Sequence, residues 1–321
     1  MEKIQAEIAG VAFHRYPDPG AQQVCAAAAE LFGVEPAQVV AGNGSDELIS
    51  VLFTCFLDKG SKVLICDPDF SMYRFYGAMA EMEIVDAGKR GGAPDPEEIV
   101  RCAQKYDVSA VIFSNPCNPT GKVLHREAVL ELIRSLPEVL IVVDEAYMDF
   151  WDQSIVEDVA SFSNALVLRT CSKAIGLAGI RLGLAIGGEA MIDLVKLAKS
   201  PYNVNALTQA AALAVLREKE YLRRATEQIV ESRKALMRAL AELARAYPEK
   251  LTVSETVTNF VLVESPQVQM IYDRLLRRGI RVRKLQDTLR ITAGSHEENQ
   301  ALIAQLQEIL KSRLCKVNMK S

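Results

Sequence analysis

The chain has 321 residues, 50% of them hydrophobic and 24% charged, enough to bury two cores and too long for a peptide-sized binding module. A net charge of −4 leaves no positive field for a polyphosphate backbone, which excludes nucleic acid as a main partner but leaves room for a small anionic ligand. No run of about 18 apolar residues is present, and MEKIQAEIAGVAF lacks the basic start and apolar core of a secretion signal, so a cytoplasmic protein without a membrane segment is expected.

In chain order, the first strong feature is GNGSDELI (42–49), two glycines and Ser45-Asp46 opening a helix that should run to about residue 57. Free N–H groups and the helix dipole make such a start an anion site, although the same residues also make a plain cap. KVLIC (62–66) reads as a buried strand, followed by PDFSMY (68–73), where Tyr73 could stack on a planar cofactor or belong to the core. Asp95-Pro96-Glu97-Glu98 reads as a helix start, with Asp95 as cap, Pro96 in the first turn and Glu98 closing the box, and the helix should continue to about residue 104.

SAVIF (109–113), VLIVV (139–143), ALVLR (165–169) and LGLAIG (182–187) are further near-continuous apolar runs. Strands buried on both faces require such runs, so they predict a mostly parallel sheet flanked by helices. From Asn203 to about Tyr247 an Ala-, Leu- and charge-rich stretch without Gly or Pro predicts one or two long helices joining two domains. Beyond Pro248, TNFVLV (258–263), a helix near 268–278, RVR (281–283), LRIT (289–292) and a helix near 296–313 predict a smaller α+β unit. The fold class is therefore α/β, with a large domain over 34–245 and a small domain built from 1–33 and 246–321.

Chemistry concentrates at the ends of the buried runs. Asp144 ends VLIVV, where open α/β sheets place their ligands, and a carboxylate buried there needs a cationic or strongly donating partner. A protonated pyridine nitrogen or an ordinary salt bridge would serve. Tyr147 can present a phenol to the same place. In SNPCNPTG (114–121) the prolines stiffen the turn, which could hold Asn118 in one orientation. In RTCSKAIGLAGIRLG (169–183), Lys173 is either a solvated loop lysine or a desolvated amine able to attack a carbonyl. Thr170, Ser172 and Arg181 beside it suit a phosphate. Arg281 and Arg283 share one strand face and Arg290 lies on the next strand-like piece; all three can bind a carboxylate or phosphate. Seven cysteines without a CxxC pair (25, 55, 66, 102, 117, 171 and 315) read as reduced, mostly buried thiols, and His14, His125 and His296 are too scattered for a metal site, so no metal is expected.

Taken in order, GNGSDELI, the PDFSMY aromatic, NPCNPTG, DEAYMDF, RTCSKAIGLAGIRLG and PYNVN (201–205) resemble pyridoxal-phosphate enzymes of the aspartate-aminotransferase fold (fold type I), and more narrowly the histidinol-phosphate aminotransferase family. The resemblance runs from RYPDPG (15–20) to LRITAGSHEEN (289–299). It implies pyridoxal 5'-phosphate as cofactor, with Lys173 as the lysine that carries it and as the proton shuttle, and Asp144 against the pyridine nitrogen. Tyr147 and Asn118 would bond the ring oxygen and Tyr73 would stack on the ring. The Ser45 and Asp46 backbone with Thr170, Ser172 and Arg181 would hold the phosphate. Tyr16, in the RYP motif, implies a homodimer with shared sites. Arg290 and Arg283, with Asn118, would meet the substrate.

Three departures from the family pattern are visible. The segment before Arg15 is short, which implies an incomplete substrate lid. The spacing between Arg283 and Arg290 is shorter than in the family, and Cys117 stands where asparagine is common. The implied activity is transfer of an amino group from histidinol phosphate to 2-oxoglutarate, giving glutamate. Threonine-phosphate decarboxylation and aromatic aminotransfer on the same scaffold are the alternatives, with a non-catalytic cofactor-binding dimerisation module as a third.

Overall fold

Seven strands form one sheet: β1 (Val39–Asn43), β2 (Lys62–Ile65), β3 (Glu83–Asp86), β4 (Ala110–Ser114), β5 (Leu140–Asp144), β6 (Ala165–Thr170) and β7 (Leu182–Gly187). Their order is β1-β7-β6-β5-β4-β2-β3. The five strands from β6 to β3 run parallel, whereas β7 is antiparallel to both of its neighbours. The structure, a computed structural model, describes residues 2–311.

Helices α1 (Glu2–Ala9), α2 (Gln22–Phe32), α3 (Ser45–Cys55), α4 (Met72–Met79), α5 (Pro96–Tyr106), α6 (Arg126–Ser135), α7 (Glu189–Ala198) and α8 (Ala206–Leu216) accompany this sheet. Alternation along the strands divides the core. Ile141 and Val143 of β5 pack with Val24 of α2, Ile99 of α5 and Val129 of α6 on one face. Val142 packs with Leu48 and Leu52 of α3, Tyr73 of α4 and Ile192 of α7 on the other. Each fully buried Leu, Ile or Phe contributes about 1.5–3 kcal/mol over its exposed state. That two-sided burial is why the strand sequences carry no polar alternation.

The chain forms two compact units, Met1–Glu227 and Gln228–Ser321. Within the first, α1 and α2 both pack on α8, so these two N-terminal helices belong with the large sheet's unit and not with the second one. Helix α9 (Lys219–Ala246) spans the boundary in the chain. The second unit has a four-stranded antiparallel sheet of β8 (Thr252–Val253), β9 (Phe260–Glu264), β10 (Arg283–Leu285) and β11 (Thr288–Thr292), in the order β10-β11-β9-β8. Leu236 and Leu240 of α9, Ile271 and Leu275 of α10 (Val268–Arg277) and Leu306 of α11 (His296–Lys311) close its core against Val261 and Ile291.

The long-helix stretch resolves into α8 and α9, and the expected strands recur within one or two residues. Three strands escaped the sequence reading: β1, β3 and the two-residue β8. Asp95 caps α5 as expected, accepting from the Glu97 and Glu98 N–H groups. Glu98 does not close the box, because Arg101 Nε takes its carboxylate at 2.8 Å. Six of the cysteines are free thiols, all buried except Cys55, and burial raises the Cys25 thiol to about 11. Cys315 and the expected helical residues 312–313 lie outside the described residues.

Candidate active site

A cavity of about 160 Å³ opens at the C-terminal ends of β4, β5 and β6. Its floor carries Asp144, the last residue of β5, which is 4% exposed. Asp144 Oδ1 accepts the Ala146 N–H at 3.0 Å and Oδ2 accepts the Tyr73 phenol at 2.8 Å. Burial pushes this carboxyl up to about 6, against the pull of the Tyr73 and Ala146 hydrogen bonds and the Lys173 charge. Such an acid sits where a cationic partner would return it to its ordinary range.

At another wall, α3 begins at Ser45 after Gly44, which holds φ 81°. Arg181, itself at φ 56°, donates from Nη2 to Asp46 Oδ2 at 2.9 Å and from Nη1 to Ser172 Oγ at 3.5 Å. Thr170 Oγ1 accepts the Ser172 N–H at 3.1 Å. Two hydroxyls, a guanidinium and a helix N-terminus thus converge, a donor set for a phosphate-sized anion. The approach needs a glycine at 183: a Cβ there would lie 2.1 Å from the Ser45 nitrogen.

Lys173 lines the same cavity, its Nζ 5.6 Å from the centroid of the Tyr147 ring, and Asn118 and Tyr147 complete the wall. The backbone N–H of Asn118 donates to Ser114 Oγ at 3.0 Å, which fixes the loop after β4. Nine residues singled out in the sequence therefore surround one cavity: Ser45, Asp46, Asn118, Asp144, Tyr147, Thr170, Ser172, Lys173 and Arg181.

Tyr73 is placed otherwise. Its side chain is fully buried in the sheet core and does not line the cavity, so it has no ring face to offer a cofactor. Phe70, from the same PDFSMY segment, lines the cavity instead and meets the Tyr73 ring edge-on at 5.6 Å. Ser114 also lines the cavity unforeseen; its place at the end of a buried strand was the available signal. Tyr16 is 82% exposed and stacks on Tyr202 at 4.8 Å. Arg283 and Arg290 are cross-strand partners in the second unit, where with Arg281 they line a separate cavity.

A lysine, a buried acid and a set of anion-binding donors thus share one cavity at the carboxyl edge of the sheet. The match of residues 1–306 to the family model for aminotransferase class I and II places the chain: it belongs to that family. It is 38% identical over 318 residues to a histidinol-phosphate aminotransferase of Clostridium kluyveri, covering 97% of this chain and 89% of the relative. To a histidinol-phosphate aminotransferase of Thermoanaerobacter sp. it is 38% identical over 319 residues, covering 97% and 88%. The crystal structure of histidinol-phosphate aminotransferase from Sinorhizobium meliloti in complex with pyridoxal-5'-phosphate shares the fold, with a TM-score of 0.88 at 24% identity over 97% of this chain and 87% of that one. No helix among the described residues is long and apolar enough to cross a membrane.

Proposed function

We propose that this chain is a pyridoxal-phosphate-dependent transaminase that moves the amino group of histidinol phosphate to 2-oxoglutarate, working as a cytoplasmic homodimer with shared sites. The observation that carries the reading is the single cavity holding Asp144, Lys173 and Arg181. The 38% identity to relatives named for that reaction supports the choice of substrate.

The residues present fit pyridoxal phosphate. Asp144 is a buried acid whose raised pKa calls for a cation, and a protonated ring nitrogen is one. The Ser45, Thr170, Ser172 and Arg181 donors suit the phosphate, and Lys173 would supply the amine that holds the cofactor. When bound, the cofactor supplies an electron sink for the charge left as the substrate's α-proton departs.

In this reading Asp144 keeps a proton on the ring nitrogen, and its own orientation is set by Tyr73 and the Ala146 N–H. Lys173 would hold the cofactor through Nζ, and the same amine would carry a proton to and from the substrate carbon. Tyr147 and Asn118 orient the ring through its oxygen, and Phe70 takes the stacking place that the sequence assigned to Tyr73. Arg290 and Arg283 bind the substrate's anionic group, and Tyr16 serves the partner's phosphate.

A product assay tests this. The loaded protein, given histidinol phosphate and 2-oxoglutarate, forms glutamate in step with loss of the donor. Carbon dioxide from threonine phosphate, with no glutamate from histidinol phosphate, would replace the transaminase reading with the decarboxylase one. Glutamate formed only with phenylalanine would make it an aromatic transaminase.

A further inference from the structure

Beside the cavity, and outside its lining, lies a buried ion pair. Lys89 Nζ is 3.0 Å from Asp69 Oδ2, and the two side chains are 1% and 0% exposed. Lys89 follows β3 and Asp69 follows β2, so the pair ties together two loops at the carboxyl edge of the sheet. The ammonium has further acceptors in the Pro68 carbonyl at 2.7 Å and the Cys117 sulfur at 2.9 Å, the latter in the loop after β4. Ionic groups this buried are costly unless fully partnered, and this pair is.

Its carboxylate contacts point toward the cavity wall. Asp69 Oδ1 accepts the Phe70 N–H at 2.8 Å and the Ser114 hydroxyl. Oδ2 accepts the Ser114 N–H at 3.2 Å. Ser114 Oγ in turn accepts the Asn118 N–H at 3.0 Å. Phe70, Ser114 and Asn118 all line the cavity. One buried carboxylate, neutralised by one buried ammonium, thus fixes three neighbouring points of the wall.

We propose that Asp69 and Lys89 form a positioning pair for the cofactor ring: they set the pose of Phe70 and Asn118 from behind, without touching the ligand. The inference rests on the pyridoxal-phosphate reading and adds to it two residues that the sequence analysis did not single out. A wall held this way is preorganised, so cofactor binding does not have to order it.

Two double variants test the pair without leaving a charge buried. Asp69→Ala with Lys89→Met removes the anchor. Asp69→Asn with Lys89→Met keeps a neutral oxygen to accept from Phe70 and Ser114. The apoprotein is titrated with pyridoxal phosphate, and the pH midpoint of the visible band of the bound cofactor is followed.

The first variant is expected to bind the cofactor roughly tenfold more weakly and to shift the band midpoint, and the second to recover most of both. A wild-type affinity and midpoint in the first variant would overturn the inference, as would an equal loss in the two. If the first does not fold, Asp69→Ser with Lys89→Met, which also leaves no charge buried and shortens the acceptor away from Ser114, decides by the same two readouts. A wild-type protein that acquires no visible band would defeat the cofactor reading itself, whereas a wild-type band unmoved in the variants defeats only the positioning pair.

Discussion

The phenol of Tyr73 donates to Asp144 Oδ2 at 2.8 Å, inside the core of the first unit. Tyr73 is thereby a donor to the site's acid rather than a surface for a ring. The exchange has a consequence for mutation: Tyr73→Phe would preserve a stacking ring but deletes one of two donors to a buried carboxylate. We expect Tyr73→Phe to cost about 1–3 kcal/mol of stability at neutral pH, measured by denaturant unfolding of the apoprotein. The Asp144 carboxyl should rise further, since the Tyr73 hydrogen bond lowers it. Unchanged stability would argue that the phenol is dispensable. Phe70→Ala, by contrast, is expected to weaken cofactor binding roughly tenfold through the lost ring contact.

Asp144 itself carries a pH signature. Burial raises its folded pKa to about 6 from 3.8, so the folded state holds the proton more tightly than the unfolded one. The ionised group therefore destabilises the apoprotein relative to a neutral side chain, by about 3 kcal/mol at pH values above the folded pKa. This destabilisation builds as pH rises from 3.8 to about 6. Apoprotein carrying Asp144→Asn should be the more stable form at pH 8, with the difference fading toward pH 4. In the loaded enzyme the same change should lower kcat by about a hundredfold or more. Equal apoprotein stabilities at pH 8 would contradict the burial cost.

Gly183 lies on β7 with no room for a methyl group: a Cβ would approach the Ser45 nitrogen to 2.1 Å and the Gly44 carbonyl carbon to 2.3 Å. Both neighbours are backbone, so relief requires the start of α3 to move. Gly183→Ala should destabilise the protein by about 1–3 kcal/mol or more. It should also weaken binding of pyridoxal phosphate more than that of pyridoxal, which lacks the phosphate. Equal losses for the two ligands would show that the displaced helix start does not hold the anion.

Lys173→Ala should abolish covalent attachment of the cofactor. Borohydride treatment of the wild type should fix the cofactor to the peptide containing Lys173, and leave the variant unlabelled. Turnover should fall by roughly a hundredfold to ten-thousandfold with loss of the proton shuttle. Labelling at another lysine would reassign the site.

Four of the five parallel strands, β2, β4, β5 and β6, were legible because burial on both faces leaves an unbroken apolar run, as in VLIVV and SAVIF. β1 and β3 were not, since VVAGN carries Gly42 and EIVD is four residues with charged ends. Nor could an apolar run report direction, so nothing in LGLAIG foretold that β7 runs antiparallel to both neighbours. The cavity-lining residues of 169–183 were readable as a cluster close in sequence. PDFSMY offered two aromatics three residues apart, and only packing shows that Phe70 faces the cavity while Tyr73 turns into the core. Asp69 and Lys89 lie 20 residues apart in separate loops, so no local pattern could join them.

The most direct measurement of the central claim is the visible absorbance of the cofactor-loaded protein during addition of histidinol phosphate alone, followed by 2-oxoglutarate. A transaminase converts the lysine-bound band to that of the amine form with the first addition and restores it with the second. A band that histidinol phosphate leaves unchanged, while threonine phosphate or phenylalanine alters it, would contradict the proposed reaction.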